Sequence, residues 1–202
     1  MDASIRNLLE VVMVFIKGSA LFILLPLLTI SICNAGSYKK IEHVDEAYKT
    51  LPLKYSIGLR YGAPTTKQIL PINTKEFYFQ RRLRTPSGTL IVPAMEASVS
   101  QLNVGDEKGY VYGFGPMINI PIGGSKDKLY FTMQTKVHYL TRHDFGRKRY
   151  GGPIQWTYAF GIKTDLSINT FASYTWMHMS NGDVYEHNPA LETHRITLGI
   201  HF

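Results

Sequence analysis

Cysteine is almost missing from this chain. Its 202 residues include one, Cys33, inside an N-terminal stretch that reads as removable, so the rest can build neither a disulfide framework nor a thiolate metal site. Histidines do not fill that gap. His138, His143, His178, His187, His194 and His201 are scattered over strands and loops with no converging parity, and neither a metal nor a cofactor is expected. Acidic residues are also scarce, 15 against 22 Lys and Arg, for a net charge of +7. Nucleic acid is the usual partner of a basic chain. Here there is no basic helix and no nucleic-acid motif, and an export signal is present, so anionic lipid headgroups are the better match. Finally, no long helical pattern follows residue 50.

What is present begins with residues 1–35. Arg6 and Lys17 lie in a mixed start, Gly18 to Cys33 is nearly all apolar, and Cys33 and Ala35 form a small-residue site before Gly36. This is the pattern of a secretory signal peptide cleaved near Ala35. An uncleaved helix over Val11 to Cys33 is the competing reading, but Lys17 interrupts the run. Ile32 stands where a lipoprotein signal carries a small residue. Removing the leader takes two basic and two acidic residues, so the charge of +7 is unchanged. Residues 36–53 read as an N-terminal lead-in.

From residue 54 to 202, short segments alternate apolar and polar residues with period two. There are eight, at about 54–63, 75–83, 89–101, 109–119, 128–140, 153–164, 167–178 and 192–202. Turn residues separate them, among them Pro86-Ser87-Gly88, Gly105-Asp106, Gly123-Gly124-Ser125 and Asn181-Gly182-Asp183. In the last segment Ile196, Leu198, Ile200 and Phe202 share one face, and Arg195, Thr197, Gly199 and His201 the other. A soluble sandwich or lipocalin-like barrel would bury the apolar face. An outer-membrane barrel turns it to lipid and places polar side chains such as Arg60, Glu96, Gln134, Lys136 and His138 inside. Tyr and Trp near the strand ends suit the membrane interfaces. The expected fold is therefore all-β, an eight-stranded antiparallel transmembrane barrel, too narrow for a solute pore. A terminal Phe on a final amphipathic strand resembles the C-terminal signature of bacterial outer-membrane proteins.

The candidate chemistry sits at the join of the last two strands, in His178, Ser180, Asn181, Asn188 and Glu192. With both termini on the periplasmic side, this join lies at the cell surface. Parity puts His178 and Ser180 on the lipid-facing side with Tyr174 and Trp176, and Glu192 on the lipid-facing side of the neighbouring strand. A hydroxyl, an imidazole and a carboxylate are the parts of an activated serine nucleophile. In that reading Ser180 attacks an ester carbonyl, His178 takes its proton, and Glu192 orients His178. Asn181 and Asn188 either donate to the oxyanion or shape the loop that does. A Ser two residues from a His is common, however, and Asn-Gly and Asn-Pro are ordinary turn formers.

The run His178-Met179-Ser180-Asn181, followed by Asn188 and Glu192, resembles the C-terminal motif of the PagL-type lipid A 3-O-deacylases. The resemblance implies a signal peptide, an eight-stranded outer-membrane barrel and a Ser-His-Glu triad. It implies that the substrate is lipid A of lipopolysaccharide, that Ser180 is the nucleophile, His178 the base and Glu192 its acid, and that Asn188 contributes to the oxyanion hole. Where the family continues Ser-Asn-Ala-Gly, this chain has Ser180-Asn181-Gly182-Asp183. The glycine whose amide the family uses for the oxyanion is therefore Asp183, which keeps the amide but not the conformational freedom. A second feature, Arg142 with Arg147, Lys148 and Arg149, joins the fifth and sixth segments on the same side. It reads either as a phosphate-binding loop or as a solvated charged one. The rival readings for the whole chain are a non-enzymatic barrel serving adhesion or envelope integrity, and an esterase for another acylated lipid.

Overall fold

The computed structural model describes residues 53–85, 91–122 and 128–202. The leader, all of the lead-in but residue 53, and the turns at 86–88 and 123–125 lie outside the described residues. The described residues form ten strands, eight of them on alternating apolar and polar residues: β1 (Tyr55–Pro64), β2 (Ile72–Arg82), β3 (Val92–Val104), β4 (Glu107–Pro121), β5 (Leu129–Leu140), β6 (Asp144–Phe145), β7 (Lys148–Arg149), β8 (Ile154–Asp165), β9 (Thr170–Ser180) and β10 (Leu191–His201). Eight of them close an antiparallel barrel in the order β1-β10-β9-β8-β5-β4-β3-β2. β6 and β7 form a small separate hairpin within the β5–β8 connection. Among the described residues no helix is long and apolar enough to cross a membrane. The chain crosses with its strands.

The faces fall as the alternation requires. Leu59, Phe77, Phe114, Val137, Phe160, Tyr174, Ile196 and Leu198 all point outward and are exposed in the isolated protein. The inward positions are close-packed. At mid-height Arg60 and Lys136 each bridge both Glu76 and Glu96. Arg60 reaches Glu96 at 3.1 and 3.2 Å, and Lys136 Nζ lies 3.1 Å from Glu76, 3.0 Å from Glu96 and 2.9 Å from Ser98 Oγ. Two cations and two carboxylates, all buried, satisfy one another where a lone charge would be costly. His138 and Gln134 are also buried inside.

The lumen is not polar throughout, as the alternation had suggested. Towards the loop end that holds the β9–β10 connection, Leu102, Val104, Val111, Leu140, Met177, Met179 and Leu191 pack with Phe145 and Tyr150 from the β5–β8 connection. This apolar plug matters to the site, because Met177, Met179 and Leu191 are the inward neighbours of His178, Ser180 and Glu192. Burying them, at about 1.5–3 kcal/mol per side chain, anchors the ends of β9 and β10 and aims the intervening residues outward.

Strand ends differ from the periodicity in two instructive places. β9 runs from Thr170 to Ser180 instead of 167–178. Leu166 and Ile168 continue the alternation, but both are exposed in a turn held by Ser167 Oγ, which accepts from the backbone N–H groups of Asn169 and Thr170. β2 begins at Ile72 instead of 75, because Ile72 belongs to the apolar plug.

Candidate active site

β9 and β10 are paired so that Glu192 stands directly opposite His178, and β8 places Tyr158 opposite His178 on the other side. All three side chains leave the barrel on its outer wall. His178 Nδ1 lies 3.5 Å from Glu192 Oε1, within ion-pair range though longer than a hydrogen bond. This nitrogen is shielded from solvent, so Nε2 is the nitrogen left for a reacting group. The imidazole is held flat against Tyr158, with ring centroids 4.9 Å apart at 21°, and Trp176 tilts against both rings, 6.2 Å from His178 and 5.6 Å from Tyr158. Glu192 is steadied from the start of the β1–β2 connection: its backbone carbonyl accepts from Thr65 N at 3.0 Å, and its carboxylate accepts from Thr65 Oγ1 at 3.4 Å. Ser180 ends β9 two residues beyond His178 on the same face, about 7 Å further along the strand. Its hydroxyl makes no hydrogen bond among the described residues. Catalytic hydrogen bonds are often long without substrate and tighten when it binds.

The loop after Ser180 is built by its own polar residues. Asn181 is fully buried. Its backbone N–H donates to Asn188 Oδ1 at 2.9 Å, and both hydrogens of Nδ2 are taken, by His187 O at 2.7 Å and Tyr150 O at 3.3 Å. Asn181 thus shapes the loop and has no side-chain donor left over. Asn188 clasps the loop from the other end, donating from Nδ2 to Asp183 Oδ1 at 2.8 Å, and its second N–H has no acceptor among the described residues. Gly182 and Asp183 both have positive φ, 63° and 62°, and Val184 N–H returns to Asn181 O at 3.3 Å. Two successive positive φ values make a type I′-like turn. The backbone N–H groups of Gly182 and Asp183, two and three residues after Ser180, have no acceptor among the described residues. Asp183 therefore takes the left-handed conformation that a glycine would take at this position.

Several contributors were not found by reading the residues in order. Tyr158 carries no motif and is one residue of the outward row of β8. Thr65 lies in the β1–β2 connection and carries no motif. Gly151, with φ of 79°, sits where a Cβ would strike the carbonyl of His187 and Asn181 Nδ2, and Gly152 packs flat on the ring of Tyr185. These two glycines let the β5–β8 connection lie on the β9–β10 loop. The basic run of that connection is largely engaged with itself. Arg142 pairs with Glu107, Arg149 Nε lies 3.1 Å from Asp144, and Lys148 lies over the ring of Tyr150 at 5.5 Å. Burial of Tyr150 pushes its hydroxyl's pKa up. Among the described residues no group of three His, Cys, Asp or Glu side chains could hold a metal ion.

A closed eight-stranded barrel with an apolar outer wall defines a small outer-membrane barrel, and a serine, a histidine and a glutamate stand on that wall near one rim. The family model described as lipid A 3-O-deacylase (PagL) matches residues 71–201, and the chain belongs to that family of outer-membrane enzymes. Among solved structures, the crystal structure of the outer membrane enzyme PagL aligns with a TM-score of 0.58 at 14% identity, covering 72% of this chain and 98% of that one. Ail of Yersinia pestis aligns at 0.47 with 12% identity, covering 74% and 99%. Neisserial surface protein A aligns at 0.46 with 7% identity, covering 74% and 96%. A search of curated proteins finds no significant match.

Proposed function

We propose that the protein removes the ester-linked acyl chain from the 3-position of lipid A, with Ser180 as nucleophile, His178 as base and Glu192 as the acid that orients it. The observation that carries this is the outward cross-strand pair of His178 and Glu192, with Ser180 two residues on along the same face. A charged carboxylate and an imidazole on a lipid-facing wall need a reason to be there. In the proposed mechanism His178 Nε2 takes the proton of Ser180 Oγ as the oxygen attacks the ester carbonyl. Glu192 beside Nδ1 stabilises the resulting imidazolium. The N–H groups of Gly182 and Asp183, with the second N–H of Asn188, face the oxyanion. His178 then gives its proton to the sugar 3-oxygen as the C–O bond breaks. Water, activated by His178, next cleaves the acyl-enzyme to free the fatty acid and restore Ser180. The β9–β10 loop faces the cell surface in this reading, so the acyl chains stay in the outer leaflet while the ester reaches the wall at headgroup depth.

The test is mass spectrometry of lipid A after incubation with the detergent-folded protein, beside Ser180→Ala. Loss of one 3-hydroxyacyl chain with the native protein alone is expected. No mass change with either, once heat-modifiable migration shows both are folded, would turn the reading towards a non-enzymatic barrel or another acylated lipid.

A further inference from the structure

Away from the triad, the outer wall carries a second polar band. Asn73 and Lys75 of β2 leave the barrel on the same face as Phe77 and Phe79. Gln101 and Asn103 of β3 share theirs with Val99, and Lys108 of β4 shares its face with Tyr110 and Tyr112. Register sets these five residues in two adjoining rows, Lys75–Gln101 and Asn73–Asn103–Lys108, and they line an open groove of about 580 Å³. All lie within three residues of the strand ends on the triad's side of the barrel. At ~3.3 Å per residue along strands tilted ~45°, that is about 7 Å below the rim or less. His178 and Glu192 lie at the same depth.

The band is wired as a donor surface. Gln101 Nε2 donates to Asn103 Oδ1 at 2.6 Å, and Asn103 Nδ2 donates to Asn73 Oδ1 at 2.8 Å. Aligned amides polarise one another, and the chain ends on Asn73 Nδ2, which has no acceptor among the described residues. Lys75 and Lys108 make no ion pair among the described residues, and one carboxylate, Asp106, shares the groove with them. Lysines facing lipid are expensive at the membrane midplane and nearly free at its surface, so this wall is built for headgroup depth. Below it, Phe77, Phe79, Val99, Tyr112 and Phe114 offer an apolar shelf suited to acyl chains.

We propose that this band binds the phosphorylated, hydroxyl-rich headgroup of an outer-leaflet glycolipid, at a site separate from the triad. The two lysines meet phosphate, the terminal amide meets sugar hydroxyls, and the acyl chains descend along the shelf. Lys75 on β2 is two strands from Glu192 on β10, and Lys108 on β4 is four, half-way round the eight-strand circuit, so a headgroup held by both lysines does not also reach the triad. The inference rests on the triad-side loops facing the cell surface, and not on catalysis by Ser180.

Native mass spectrometry of the full chain carrying Ser180→Ala, in non-ionic detergent, tests it with bisphosphorylated lipid A, the same lipid stripped of phosphate, and inorganic phosphate as probes. Two lipid A molecules per barrel are expected. Lys75→Gln and Lys108→Gln should each weaken the second by about fivefold, and together by ~25-fold, since each lysine near an anionic surface is worth about that factor. Full retention of the second lipid in the double variant, equal binding of the stripped lipid, or displacement by millimolar inorganic phosphate would overturn the assignment. Lipid A turnover by the unmodified chain is read separately. Loss of turnover with the second lipid retained strikes the deacylase reading alone, and one-lipid stoichiometry with turnover intact strikes only the band.

Discussion

Asp183 is the one non-glycine residue with positive φ among the described residues, and it stands where the resembling family has glycine. A left-handed φ costs an ordinary residue roughly 1–2 kcal/mol, and Asp and Asn less because their short side chains bond locally. Here that local bond is the one from Asn188 Nδ2. Asp183→Asn should therefore retain most lipid A deacylation, since its amide oxygen still accepts. Asp183→Ala loses the bond and keeps the strain, and its turnover number should fall by about 10-fold, the equivalent of ~1.4 kcal/mol of misplaced donor. Initial rates of fatty-acid release from the two variants make the comparison, and equal rates would show that the clasp is dispensable. At this scale the sequence was legible for side chains and opaque for backbone. His178, Ser180 and Glu192 were located by parity and spacing, and the structure puts all three on the outer wall. That Asn181 spends both of its amide hydrogens on carbonyls of His187 and Tyr150 follows from a loop path that no local pattern encodes.

Among the elements, the β5–β8 connection was the least legible part. Periodicity finds strands because a pleated wall between lipid and lumen repeats every two residues. A hairpin of two-residue strands has no repeat to find, and β6–β7 arises from a turn at Gly146, whose N–H is accepted by Asp144 Oδ1 at 3.0 Å. The same connection supplies the floor of the candidate site through Gly151. Gly151→Ala must place a Cβ against the His187 carbonyl in a left-handed conformation, which adds backbone strain of about 1–2 kcal/mol to a clash that only loop displacement relieves. We expect the variant to insert and show heat-modifiable migration like the parent, while deacylation falls by about tenfold or more. Gly146→Ala is the matched control. It has the same sign of φ, 63°, but its Cβ would meet only Glu107 Oε1 at 3.6 Å, so activity should be retained. If both variants are equally active, the β9–β10 loop does not depend on the packing beneath it.

For the whole molecule, the lumen has two layers with different chemistry, an apolar plug under the site and an ionic lattice at mid-height. The space left inside is slight. A cavity of about 20 Å³ lies among Arg60, Tyr78, Gln134 and Arg195, room for about one water, as in a narrow barrel filled by its own side chains. The alternation made Arg60, Glu96 and Lys136 interior but gave no partners. Glu76 completes the lattice because β2 registers it opposite Arg60 on β1 and Ser100 on β3. The lattice should stabilise the barrel without touching catalysis. Glu96→Ala leaves Arg60 and Lys136 to share Glu76, and stranding buried charge in this way costs about 3–5 kcal/mol. The loss should appear as a lower temperature for conversion of the compact to the unfolded form on a detergent gel. Glu96→Gln, which can still accept from Arg60, should fall between that variant and the parent. Below those temperatures deacylation should match the parent, because His178, Ser180 and Glu192 face outward and are anchored by Met177, Met179 and Leu191 instead of by the lattice. A variant that unfolds at the parental temperature would show that Glu76 alone compensates Arg60 and Lys136. One that is fully folded yet inactive would show that the mid-height lattice reaches the outer wall after all.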